Sequence, residues 1–309
     1  MNKEMLIKTL ENVVTGEFSW SLYFFKIDRR DNNPFKAYKI RFKNDRYLPE
    51  YAKSLMDMVI KFQLKKIDEI KDYTGENTKV SCDKIETNNE LVKEQWDYFV
   101  QDIANASDEK IEGKYHGYVL EGTSSDDDCG SLVFLKMVNP IINLKNKRST
   151  VFTFDDDSEL AEMADEVCKL RMDIDCIVVD ETIYSFNYKF EDLLNVEKTM
   201  QKVKNKALEQ IVAIDAYENK DEFERMARAY KSPRTFITLK SERVERIKNK
   251  AKRKKVANML KIEMSDDEKF IFKNVEEVSL LLRYLCFKVF KDDETKELLE
   301  ANNVTQLAL

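Results

Sequence analysis

From Asp173 to Lys198 the chain reads DIDCIVVDETIYSFNYKFEDLLNVEK. Two short apolar runs, DCIVV and TIYSFN, flank the acidic pair Asp180-Glu181, and after Asn187 the apolar residues Phe190, Leu193 and Leu194 recur at helical spacing. A strand alternates its side chains with a period of two and a helix with one of 3.6, so one segment cannot satisfy both patterns. The stretch therefore holds two strands that hand the chain to a helix at Asn187–Lys189. It divides a strand-rich region before it from a helical region after it.

The strand-rich side begins with a helix over residues 3–14, with Met5, Leu6, Leu10 and Val13 or Val14 on one face. FSWSLYFFKI (18–27) and FKAYKIRF (35–42) read as a hairpin, and helices follow over 49–70 and 89–103. YHGYVLEG, SLVFLKMVN, STVFTF, DCIVV and TIYSFN then read as an antiparallel meander, with acidic turns SSDDDCG and FDDDS and a short helix over 158–169. Helical spacing resumes at Leu193, Met200, Val203, Ala207 and Ile211, and again at Phe223, Met226, Ala227 and Tyr230. The expected fold is α+β: a curved antiparallel sheet with flanking helices over 1–190, then a mainly helical portion over 191–309. With no Gly/Ser-rich or Pro-rich linker between them, the two portions are expected to pack as one unit.

A strand-to-helix turn is also where a catalytic nucleophile can sit, but that arrangement needs a nucleophile at the turn, flanking glycines and a histidine base. Here Ser185 lies within the strand pattern, no glycine is near, and the one histidine, His116, belongs to another strand. Phe186 and Phe190 are instead expected to pack under the junction, with Asn187 as turn or cap. The chain contains no G-x-x-x-x-G-K-[ST] and no G-x-G-x-x-G, and its six glycines are too few for phosphate-cradling loops. The five cysteines are scattered without a C-x-x-C pair, and no signal peptide precedes them, which suits reduced thiols in a cytoplasm and no zinc. No cofactor or metal is expected. The longest apolar run, VSLLLRYLCFKVF, carries Arg283 and Lys288 and falls short of the ~18 residues a membrane span requires.

Two kinds of chemistry survive. A Mg²⁺-dependent nuclease needs only carboxylates and a lysine; Glu112-Gly113-Lys114 and the triplets Asp126–Asp128 and Asp155–Asp157 supply those residue types without a defining spacing. The other signal is basic. KSERVERIKNKAKRKK, Lys240 to Lys255, holds nine Lys or Arg against two Glu in a chain of formal net charge −6. On one helix Val244, Ile247, Ala251, Val256 and Met259 form a narrow apolar stripe, and Arg243, Arg246, Lys248, Lys250, Lys252, Arg253, Lys254 and Lys255 are the candidate phosphate-binding residues. Lys202, Lys204, Lys206, Arg225, Arg228, Lys231 and Arg234 extend the positive character. Contacts of this kind read the backbone and not the bases, so the expected binding is sequence-independent. The competing reading is a solvated helix balanced by acidic residues elsewhere in the chain.

The stretch around Asn187 also carries a resemblance. Asp175 before an apolar strand, the turn Asp180-Glu181, a strand ending at Phe186-Asn187 and Lys189-Phe190-Glu191 opening a helix resemble the sheet-to-helix core of the KwaB-like family of the Kiwa anti-phage system. FIFKNVEEVSLLLRYL from Phe270 is similar to the strand-then-helix end of that family. The resemblance implies a cytoplasmic defence protein, without enzymatic activity, that binds DNA to block phage replication. It also implies a small multi-spanning membrane partner of the KwaA type that recruits the protein to the inner membrane. A homo-oligomer is expected as well.

Overall fold

The computed structural model describes residues 1–31, 33–75, 81–108, 115–124, 131–138, 152–154, 160–162, 170–291 and 298–300. The chain divides into two compact units, Met1–Asp72 with Asn77–Asn195, and Tyr73–Glu76 with Val196–Leu309. The architecture is α+β, as the periodicities imply.

The first unit opens with α1 (Lys3–Thr15), capped by Asn2, whose side chain accepts from the Met5 amide. Leu6, Leu10 and Val13 are buried, while Met5 faces solvent. β1 (Phe18–Ile27) and β2 (Phe35–Ile40) form the expected hairpin. α2 (Tyr47–Met58) runs into a π turn over Val59–Gln63 and a 3₁₀ turn over Leu64–Lys66, and the backbone becomes extended at Ile67. β3 (Glu69–Asp72) and β4 (Ser81–Glu86) follow, then α3 (Lys93–Ala104), β5 (Gly117–Ser124), β6 (Leu132–Met137), β7 (Phe152–Phe154), β8 (Leu160–Glu162), β9 (Cys176–Val179), β10 (Thr182–Ser185) and α4 (Lys189–Leu193).

Eight of these strands make one sheet in the order β2-β1-β5-β6-β9-β10-β4-β3. Every pair is antiparallel except β3–β4. The meander of β5, β6, β9 and β10 is as expected, but the sheet is open and not curled. Two further readings are corrected. STVFTF does not enter the meander: β7 pairs with β8 in a ribbon of its own, so Leu160–Glu162 is extended where a helix was expected. A strand followed closely by another in sequence pairs with it most readily, which accounts for the ribbon. The helix expected to reach residue 70 ends before Ile67, and β3 with β4 then extends the sheet; Asp83 and Lys84 inside β4 mask its apolar pattern. Residues 109–114, 125–130, 155–159 and 163–169, with Glu112, Lys114, the acidic triplets and most of the expected helix at 158–169, lie outside the described residues.

In the second unit α5 (Val196–Val212) and α6 (Lys220–Arg228) are followed by a 3₁₀ turn over Pro233–Thr238. α7 (Ser241–Lys248) and α8 (Lys250–Leu260) come next, then the ribbon β11 (Glu263–Met264) with β12 (Phe270–Ile271). α9 (Val275–Leu285) and the ribbon β13 (Val289–Lys291) with β14 (Leu298–Glu300) complete it. Ile211, Phe223, Phe236, Ile247, Ala257 and Leu282 belong to one core that these helices share. Among the described residues no helix is long and apolar enough to cross a membrane.

Candidate nucleic-acid interface

The basic run is two helices, not one. Asn249 has extended backbone (φ −81°, ψ 119°), ends α7 and caps α8, its side chain accepting from the Lys252 amide at 3.0 Å. Asn is among the best residues at such a position because its carbonyl satisfies a donor the helix leaves open. The break shifts the phase of everything after it. Val244 and Ile247 are buried from α7, and Val256, Ala257 and Leu260 from α8, but Ala251 of the expected stripe is exposed and Arg253 is buried in its stead.

Two of the eight candidate cations therefore leave the interface. Arg253 is 2% exposed and donates to the carbonyls of Ile247, Lys248 and Glu268 at 2.6, 3.2 and 3.1 Å. Arg243 donates to the carbonyls of Tyr284 and Val289, and its guanidinium lies over the rings of Phe287 and Tyr284. Burial lowers its affinity for a proton, with the neighbouring Arg246 acting the same way. Both arginines hold the fold together.

Arg246, Lys248, Lys250, Lys252, Lys254 and Lys255 are exposed. Lys248 pairs with Glu245 at 2.5 Å, and Arg246 reaches the Tyr284 hydroxyl at 3.4 Å. α8 has no acidic residue in its first turn, whereas each of the other α-helices described carries at least one there. A helix N-terminus already carries about half a positive charge, so lysines placed there cost helix stability and reinforce the local positive potential. Beside this end lies a groove of about 960 Å³, bounded by Ala213, Ile214 and Asp215 after α5 and by Lys240, Val244, Lys248 and Lys250. Both acids that line it are paired: Glu245 with Lys248, and Asp215 with Lys269 at 2.6 Å, a bond that holds the Asp215 carboxyl below the usual range.

The upstream cations are engaged unequally. Lys204 is buried and donates to the carbonyls of Arg228 and Tyr230. Arg225 and Arg228 pair with Glu222 and Glu224, and Arg234 donates to the Gly75 carbonyl at 2.8 Å. Lys202, Lys206 and Lys231 are exposed.

In the first unit the strand-to-helix stretch is a structural lock. Asp175 is buried and accepts from Lys136 Nζ at 3.1 Å, from the Met137 amide at 2.7 Å and from Asn187 Nδ2 at 2.9 Å. Asn187 also accepts from the Lys189 amide at 2.9 Å, making the turn that leads into α4, whose N-cap position is Tyr188, and Phe190 is fully buried beneath the junction. Ser185 donates to the Asn187 carbonyl at 2.6 Å, and His116 Nδ1 accepts from the Ile27 amide at 3.0 Å. Burial, with Arg29 and Lys26 nearby, lowers the His116 pKa and keeps the ring neutral. Serine and histidine are thus engaged separately.

The described cysteines, Cys82, Cys176 and Cys286, are buried free thiols. Burial pushes the Cys286 thiol up to about 12, which makes it inert as a nucleophile. Among the described residues no group of three or more His, Cys, Asp and Glu is placed to hold a metal ion. One residue that sequence reasoning passed over is Asp83, buried in β4 with no hydrogen-bond partner for either carboxylate oxygen. Its only signal was an acid inside a segment whose neighbours Cys82 and Ile85 are apolar.

No family model matches the chain, and neither a curated protein nor a solved structure matches it.

Proposed function

We propose that the chain is a nucleic-acid-binding protein that neutralises phosphates, without reading bases, through Arg246, Lys248, Lys250, Lys252, Lys254 and Lys255. The observation that carries this reading is the first turn of α8, where lysines gather and the helix itself supplies no acid. A helix face whose charge serves only solubility has no reason to concentrate one sign at the end of the helix dipole that disfavours it. A row of cations with water-exposed stems is instead what phosphate neutralisation requires.

The biological setting follows from the KwaB-like resemblance. On that basis the protein is a non-enzymatic anti-phage effector in the cytoplasm that binds DNA to block replication and is recruited to the inner membrane by a KwaA-type partner. Supporting this in part, no described helix is long and apolar enough to span a bilayer. Expressed alone, the protein is expected in the soluble fraction; co-expressed with such a partner, it is expected to sediment with membranes. Full pelleting when alone, reversed by salt, would replace the partner with direct lipid binding.

The site itself is tested by fluorescence anisotropy with a duplex DNA of arbitrary sequence. Affinity should fall with salt at a log–log slope of about −0.9 per phosphate neutralised. Lys250→Glu, Lys252→Glu, Lys254→Glu and Lys255→Glu together should abolish binding while thermal unfolding stays cooperative. Unchanged affinity in that variant would remove α8 from the interface. DNA cleavage that stops with chelator would favour the nuclease reading instead.

A further inference from the structure

β4 is an inner strand, and Asp83 sits at its middle, opposite Ser185 of β10 on one side and Lys71 of β3 on the other. The side chain is 1% exposed, and neither oxygen receives a hydrogen bond. Ser185, the hydroxyl in register with it, donates to the Asn187 carbonyl. The turn made by Phe186–Tyr188 leads directly into α4, which carries Glu191, itself 6% exposed. A carboxylate closed off from water without a donor is unfavourable, whereas a neutral carboxylic acid tolerates the same place far better.

We propose that Asp83 is a proton-controlled latch of the junction between β10 and α4: as the neutral acid it lets the junction close, and as the carboxylate it loosens it. The groups that act on it are few. Glu191 of α4 and Glu69 and Lys71 of β3 act on it through their charges, while Ser185, its register partner in β10, carries none. Burial is the largest influence, the two glutamates add to it, Lys71 opposes it, and the carboxyl is pushed up to about 7.

The direction follows from proton linkage. The closed junction holds the proton more tightly than an opened one, in which Asp83 ionises near the ordinary 3.8. Below that value both forms are protonated and the junction is at its tightest. As pH rises, opening becomes easier by about tenfold per pH unit between about 4.5 and 6.5, and the effect levels off once the closed form ionises too, above about 7. Mild acidification thus stiffens the junction.

The test is amide hydrogen exchange at Glu191, Leu193 and Leu194 in the full chain, corrected for intrinsic rates, from pH 4.5 to 8, on the wild type and on Asp83→Asn. Wild-type protection is expected to fall by about a hundredfold between pH 4.5 and 6.5, with Asp83→Asn flat across the range. A direct ¹³C titration of the Asp83 carboxyl in the wild type accompanies it, so the inference stays testable even if the asparagine variant fails to fold. Parallel profiles for the two proteins, or an Asp83 carboxyl that titrates below pH 5, would overturn the latch.

Discussion

The guanidinium of Arg253 donates to the carbonyl of Ile247 at 2.6 Å, so a side chain from the first turn of α8 satisfies the last turn of α7. It does the same for Lys248 at 3.2 Å. Carbonyls at a helix C-terminus lack intrahelical donors and sit at the negative end of the dipole, which makes a buried cation there stabilising. The most densely charged part of the chain therefore contains both a structural cation and its exposed neighbours.

Arg253→Met is expected to keep the volume but leave three carbonyls without their donor, that of Ile247 buried and those of Lys248 and Glu268 partly so, destabilising the protein by about 3 kcal/mol. Lys252→Met, one residue away and exposed, should change stability by less than about 0.5 kcal/mol while weakening DNA binding. Denaturant unfolding and anisotropy on the two variants read the distinction; equal stability losses would contradict it.

The turn between β9 and β10 is made by Asp180 and Glu181, at φ 47° and 62°. Two positive φ values in a two-residue hairpin loop suit Asn-Gly far better than Asp-Glu, because a side chain in that region crowds its own backbone. Asp180→Asn with Glu181→Gly should stabilise the protein by about 1 kcal/mol, visible as a higher unfolding midpoint. A lower midpoint would mean that these acids make a contact worth more than the strain.

Lys136, 3% exposed, meets both Asp173 and Asp175. Asp175→Ala leaves that ammonium, the Met137 amide and Asn187 short of an acceptor, and a loss of about 3–5 kcal/mol is expected. Asp173 behaves differently because it is half-exposed. Burial alone would raise its carboxyl, but the hydrogen bonds from Lys136 and Arg171 prevail and hold it below the ordinary 3.8. Its contribution is complete above pH 3.8 and disappears as pH falls through the lower folded value. Asp173→Asn should therefore flatten the acid limb of the stability curve below about pH 4 and leave the region above pH 6 parallel to wild type.

Gln63 occupies the π turn after α2, and its amide both donates to the Ile174 carbonyl and accepts from the Ile174 amide, each at 2.9 Å. It completes the backbone pairing of a segment that leads into β9. Gln63→Leu should cost about 2 kcal/mol, and exchange at the Ile174 amide should accelerate more than at Ile177. Uniform acceleration would assign the loss to general destabilisation.

What the sequence determined alone is what periodicity within a dozen residues can encode. The face of α1, the β1–β2 hairpin, the meander on either side of Asp180-Glu181 and the turn at Asn187 were all legible, because each depends on neighbours close in the chain. The density of positive charge between Lys240 and Lys255 was legible too. Which of those cations meet water was not: the break at Asn249 resets the helical phase, and the resulting core takes in Arg253 and turns Ala251 out. β4 escaped for a related reason. Its place between β10 and β3 joins residues about a hundred positions apart, and only that pairing, with α4 following β10, turns Asp83 from an acid in a polar segment into a carboxyl without a donor. Local pattern sets which way a side chain points from its own element, but burial, and with it charge state and availability, depends on what the rest of the chain brings against that face.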